Sequence, residues 1–284
     1  MGKFRFLILY LSRFDIPYLK ELLVEVKLRG IIVLPVLDGI SGMDYQVISG
    51  IDYRDSYLLT DCVNGIRFAL ENDFGYSVLE NDSLKTGSYS SAECVILGLE
   101  EVDFGFVDRL YRRHFNYPWD IISTPRLLIR EITAGDLNSL YEIYGDPSIT
   151  EYMEDLYDNP DEELAYIKNH IKNVYGLYGY GMWVIIEKST GRLIGRVGIT
   201  PSEKYDEPEL GYVIEKSKQR MGYGYEACLG VLDYARDALL LSGLNCFICF
   251  GNVKSISLCE KLNFTRLSEV YMNDRKMHRY HITF

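Results

Sequence analysis

The sequence lacks several of the signals that settle function quickly. No apolar run approaches the roughly 20 residues that a membrane-spanning helix needs. The longest, Phe6 to Leu11, is strand-sized. The N-terminus has no basic segment, apolar stretch and small-residue cleavage site in succession, so a cytoplasmic protein with no membrane partner is expected. Neither GxGxxG after the first strand nor GxxxxGKS/T occurs, which removes the two strongest phosphate-cradle signatures. Histidine is scarce: His114, His170, His278 and His281 show no ligand spacing. With 30 basic against 41 acidic side chains and a net charge of −11, a nucleic-acid partner is disfavoured, because its phosphates demand basic clusters. The same balance mildly favours a cationic acceptor, and equally serves solubility.

Cysteine is present but gives no metal signature. Cys246 and Cys249 form a CxxC pair inside Asn245–Phe250, which reads as a strand. Residues three apart on a strand point to opposite faces and cannot share one tetrahedral ion. Buried free thiols are expected. The remaining composition, 48% hydrophobic and 25% charged, is that of a folded globular chain, and 284 residues admit two domains.

Residues 1–122 alternate short apolar strands with helices: strands near 4–10, 31–37, 57–60, 76–79 and 94–97, helices near 16–29, 63–71 and 104–114. That pattern predicts a small three-layer α/β domain with a mostly parallel sheet. Its layout resembles a haloacid dehalogenase-like or other Rossmann-type domain. The family's nucleophilic Asp after the first strand is replaced by Tyr10-Leu-Ser-Arg13, so a degenerate, regulatory or dimerising role is expected, which leaves room for a homodimer. Asp61 reads as a helix cap or loop residue. Tyr117-Pro-Trp119 closes this half, and a break is placed near residue 122.

From 123 to 284 the predicted order is β-α-α-β-β-β-α-β-α-β-β. At its centre the strand Glu209–Ile214 runs into Gln219-Arg-Met-Gly-Tyr-Gly224, which opens a helix extending to about Leu240. A glycine-rich turn at a helix N-terminus aims several backbone N–H groups at one spot, with the helix dipole adding positive charge. Gly222 and Gly224 carry no Cβ to obstruct an anion.

This string resembles the acetyl-CoA signature of the GNAT superfamily of N-acetyltransferases. Asn252-Val-Lys-Ser255 and Cys259-Glu-Lys-Leu-Asn-Phe264 resemble its second conserved region. Thr124-Pro-Arg-Leu-Leu-Ile-Arg130, Gly179-Tyr-Gly-Met-Trp183 and Arg192-Leu-Ile-Gly195 resemble the branch that includes ribosomal-protein N-terminal acetyltransferases. The resemblance implies a GNAT-type mixed-sheet α+β domain over 123–284 that takes acetyl-CoA (CoA after transfer). It implies direct transfer to a primary amine, either a small cationic amine or a peptide N-terminus. An acyl-CoA-binding sensor without turnover is the alternative.

Residue by residue, the resemblance assigns the cofactor to Gln219, Arg220, Met221, Gly222, Tyr223, Gly224 and Tyr225, with backbone amides near Val213 and Ile214 and the side chain of Asn252. Glu209 is the candidate base, or a strand-end surface charge. Ser255 is a candidate proton donor to the departing thiolate, or the N-cap of the helix that follows. Cys259 stands where many members carry Tyr; its thiol is a substitute donor or a small buried group. Asn263 replaces the usual Gly at a helix end that needs positive φ. Tyr152, Glu154 and Asp155 border the expected acceptor pocket, or form solvated acidity at a helix start. Trp183 reads as core or pocket lining.

Overall fold

The computed structural model describes residues 3–39, 48, 50–81, 84, 90–202, 204–272 and 275–284. The chain divides into two compact units, Met1–Tyr117 and Pro118–Phe284. Among the described residues no helix is long and apolar enough to cross a membrane.

The first unit contains β1 (Phe6–Leu11), α1 (Leu19–Leu28), β2 (Ile32–Leu37), β3 (Ser56–Thr60), α2 (Val63–Glu71), β4 (Gly75–Leu79), β5 (Val95–Ile96) and α3 (Phe104–His114). The sheet is parallel, in the order β2-β1-β3-β4-β5, the doubly wound arrangement with one reversal of direction at β1/β3. The alternation of side chains explains its two cores. Leu7, Leu9 and Leu11 pack with α1 and α3, while Ile8 and Tyr10 pack with Ile66, Phe68 and Ala69 of α2. The first helix starts later than residue 16 because Tyr18 adopts a left-handed φ of 61°. Asp61 caps no helix. Its carboxylate accepts from the Ser12 backbone N–H at 2.5 Å and from Ser12 Oγ at 2.6 Å, tying the ends of β1 and β3 together.

The second unit opens with β6 (Asp120–Ser123), which pairs antiparallel with β7 (Leu127–Arg130). That pairing places 118–122 in the second unit, before the break expected near 122. There follow α4 (Leu137–Tyr144), α5 (Pro147–Thr150) and α6 (Pro160–Asn169). The α6 axis continues as a π-helical stretch, His170–Tyr175, and a last α turn, Gly176–Tyr178. Asn159 caps α6 by accepting from Asp161 N at 3.0 Å. Then come β8 (Met182–Glu187), β9 (Leu193–Thr200), β10 (Glu209–Ile214), α7 (Tyr223–Asp237), β11 (Gly243–Cys249), α8 (Val253–Lys261), β12 (Thr265–Met272) and β13 (Arg275–Thr283). Asn263 ends α8 at φ 66°, the left-handed position its place in the sequence called for.

The eight strands run β12-β13-β11-β10-β9-β8-β7-β6. One joint positions the site. β10 and β11 are parallel and pair only at Glu209 and Asn245. Beyond that point they part, leaving one edge of each strand without its neighbour.

Candidate active site

The gap between β10 and β11 opens a groove of about 1000 Å³ lined by β10, β11, the start of α7, the first turns of α8 and residues 148–153. Strand parity fixes which amides face it. The Pro208 carbonyl accepts from Asn245 N on the β11 side, whereas Glu215 N donates to Ile194 O on the β9 side. The N–H and C=O of one residue point the same way and alternate along the strand. The amides of Tyr212 and Ile214 therefore face the opening. Val213 lines the groove, but its amide turns to β9; of the two expected main-chain donors, Ile214 N–H is the one that faces the opening.

At one end the loop 219–222 feeds α7. Gly222 is the cap residue at φ 84°, with no side chain satisfying the helix start. The first intrahelical bond runs from Glu226 N to Gly222 O, so the amides of Tyr223, Gly224 and Tyr225 precede it. The two glycines serve different needs. Gly222 supplies a left-handed backbone. Gly224 supplies space, since a Cβ there would lie 3.3 Å from Leu258 Cδ2 and 3.5 Å from Ile214 Cγ1. Gln219 anchors the loop: its Nε2 donates to Ile214 O at 3.1 Å and its Oε1 accepts from Lys254 Nζ at 3.1 Å.

Four cations line the groove: Lys216, Arg220, Lys254 and Lys261. Only Arg220 was expected. Lys254 and Lys261 are seven apart, two helical turns on one face of α8, a spacing that was legible in the sequence. Asn252 caps α8, its Oδ1 accepting from Ser255 N at 3.2 Å. Ser255 is therefore not the cap; it lies one turn inside the helix, on the groove. The Asn252 carboxamide oxygen is engaged, which leaves its NH2 as the donor for a ligand.

The lining also includes Glu209, Glu151, Tyr152, Met153, Met182 and Phe247. Glu209 is pushed up to about 7 by burial alone. A carboxyl tuned to that range takes up and releases protons near neutral pH. Tyr152 is held beside β11 by its carbonyl, which accepts from Cys249 Sγ at 3.3 Å.

Several expected residues lie off the groove. Trp183 is fully buried and packs edge-to-face on Tyr234 of α7, centroids 5.6 Å apart. Glu154 and Asp155 are exposed and do not line the groove; the Asp155 carboxylate accepts from Leu156 N at 2.8 Å. Met221 turns its carbonyl to Arg126 Nη1 at 3.0 Å. Tyr223 is buried, with its hydroxyl on Glu187. Cys259 is 1% exposed and belongs to the core with Cys246 and Leu262. The thiol does not itself line the groove. Cys259→Ala is expected to lower stability by about 1 kcal/mol, read by denaturant unfolding. Turnover should stay within about twofold of the native chain, since the side chain contributes packing rather than a proton.

Comparisons with known proteins bear on the family and fold of the second unit. Residues 126–265 match the family model described as the acetyltransferase (GNAT) domain. The chain is similar to Bacillus subtilis YkkB, 28% identical over 142 residues, covering 49% of this chain and 81% of that protein. It is 27% identical over 152 residues to the B. subtilis N-acetyltransferase YoaA, covering 51% and 83%. The fold is shared with an acetyltransferase from Agrobacterium tumefaciens (TM-score 0.51, 24% identity, 57% of this chain and 94% of that one). It is also shared with a structure described as a ribosomal-protein-serine acetyltransferase from Vibrio cholerae (TM-score 0.51, 21% identity, 58% and 97%). The protein is thus an acyltransferase by class. Residues 126–265 are a GNAT acetyltransferase domain.

Proposed function

We propose that the chain transfers acetyl from acetyl-CoA to a primary amine, a small cationic amine or a peptide N-terminus, by direct attack and without a covalent enzyme intermediate. The observation that carries this reading is one groove that gathers the groups both substrates need. Four cations, three bare helix amides, two carboxylates and aromatic and thioether walls all border it. The donor set fits a diphosphate: unbonded amides, a left-handed glycine and a second glycine that keeps the floor clear.

In this reading Glu209 removes the ammonium proton, directly or through one water, at the pH where its own proton is lost. The amine nitrogen then forms a bond to the thioester carbon as the carbon–sulfur bond breaks. The Ile214 amide, facing the gap, polarises the carbonyl oxygen. The departing thiolate receives its proton from the Ser255 hydroxyl on α8, and Ser255 regains a proton from the one that the attacking nitrogen sheds as the amide forms, directly or through water. The test is release of free coenzyme A thiol from acetyl-CoA with a panel of spermidine, an N-terminal seryl peptide and an aminoglycoside. Calorimetry of acetyl-CoA binding runs alongside. Thiol release with at least one amine is expected. The absence of both heat and thermal shift with acetyl-CoA would sink the reading, and binding with no thiol release across amines would favour an acyl-CoA sensor.

A further inference from the structure

Glu187 ends β8 and is 4% exposed, yet its carboxylate is bonded to the loop that opens α7 rather than to its own sheet. It accepts from Lys218 Nζ at 2.8 and 3.0 Å, from Tyr223 Oη at 2.5 Å and from Thr190 Oγ1 at 2.7 Å. Lys218 and Tyr223 are the two residues that flank 219–222. Glu187 itself does not line the groove. The loop it brackets is strained, with Arg220 at φ 63° and Gly222 at φ 84°. A non-glycine residue in that region persists only where its surroundings hold it there.

Other contacts complete the hold. Arg126 Nη1 donates to Met221 O at 3.0 Å, and the Arg126 guanidinium lies 4.4 Å from the centre of the Tyr223 ring. Glu226 in turn fixes Arg126 through Nε at 2.6 Å. Among these groups Glu187 alone reaches both flanks of the loop.

We infer that Glu187 is a positioning residue whose bonds to Lys218 and Tyr223 hold the helix-start amides in the shape that receives the diphosphate of coenzyme A. This rests on the acetyl-CoA reading above. The Lys218 ammonium, then the Tyr223 and Thr190 hydroxyls, keep the Glu187 carboxyl near about 2. The clamp is therefore ionised across the whole working range. A carboxylate that only stiffened the sheet would, on removal, weaken every ligand alike.

The test compares ligands that do and do not carry the diphosphate. Binding of CoA, 3′-dephospho-CoA and pantetheine is measured on the full chain and on Glu187→Ala, Glu187→Gln and Tyr223→Phe. Calorimetry serves the first two ligands and ligand-observed NMR the third. The expected result for Glu187→Ala is about tenfold weaker binding of CoA and of 3′-dephospho-CoA, with pantetheine unchanged. Glu187→Gln keeps the shape and loses the charge, and Tyr223→Phe removes one anchor; both should fall between. Unchanged CoA affinity in Glu187→Ala overturns the inference, as does an equal loss for pantetheine. If Glu187→Ala unfolds, the two milder variants decide by the same comparison. A native chain that binds no CoA removes the acetyl-CoA reading itself, an outcome visible before any variant is made.

Discussion

Gly224→Glu is expected to abolish coenzyme A binding while leaving the fold intact. The position lies in the first turn of α7, where Glu is a good helix former and a negative charge suits the exposed amides. Helix stability should hold or rise. The same side chain starts from a Cβ placed 3.3 Å from Leu258 and 3.5 Å from Ile214, on the floor between α7, α8 and β10. Its carboxylate would take the amides offered to the diphosphate and repel the ligand's charge. A loss of at least about 100-fold in affinity follows, roughly 2.7 kcal/mol. Gly222→Ala is the contrast. It strains a residue at φ 84° at a cost of about 1–2 kcal/mol, and its single methyl, with a Cβ 3.3 Å from Arg126 Nη2, adds no charge. The melting temperature should fall there, with a smaller change in affinity. Calorimetric titration with CoA and thermal unfolding separate the two. Binding by Gly224→Glu within about threefold of the native chain would mean that the diphosphate lies elsewhere.

The contrast between these glycines marks how far the sequence could be read. The strand–turn–helix and its Gly-x-Gly were legible, because backbone freedom at a helix start has few other uses. That one glycine provides a dihedral and the other provides room was not, since the distinction depends on Leu258, thirty-four positions away in the chain (258 − 224). The second apolar layer was equally hidden. Trp183 and Met182 are adjacent on β8, but strand alternation sends Trp183 to Tyr234 and Met182 to the groove. No pattern in Gly179–Trp183 tells which face is which. Cys259 carried two readings in the sequence, and its burial beside Cys246 and Leu262 depends on β11, which α8's own residues do not show. The basic lining was missed for another reason: Lys216 and Arg220 lie in the loop before α7 and Lys254 and Lys261 on α8, so the two pairs become one set only in space.

Glu209→Gln should lower turnover and raise stability together, a combination that a structural carboxylate would not give. The folded-state value near 7 arises from burial with no compensating cation, against an ordinary glutamate value of about 4.3 in the unfolded chain. Below the unfolded value the group is neutral in both states and costs nothing. As pH rises through the folded value, the native chain must bury a charge that the unfolded chain keeps in water, so stability is lost between about pH 4.3 and 7. Gln carries no charge to bury. The variant should therefore match the native chain at pH 4 and exceed it at pH 8, by an amount on the order of 1–3 kcal/mol. Activity moves in the opposite sense. With Glu209 as base, kcat/KM of the native enzyme rises with pH through about 7. The variant loses that rising limb and falls by about 100-fold or more at pH 8, the usual contribution of a positioned base. Thermal unfolding at the two pH values and a pH–rate profile test both halves. A variant that keeps the rising limb would transfer the base role to another group. A variant no more stable at pH 8 than the native chain would mean that Glu209 is solvated, and that its tuning by burial is absent.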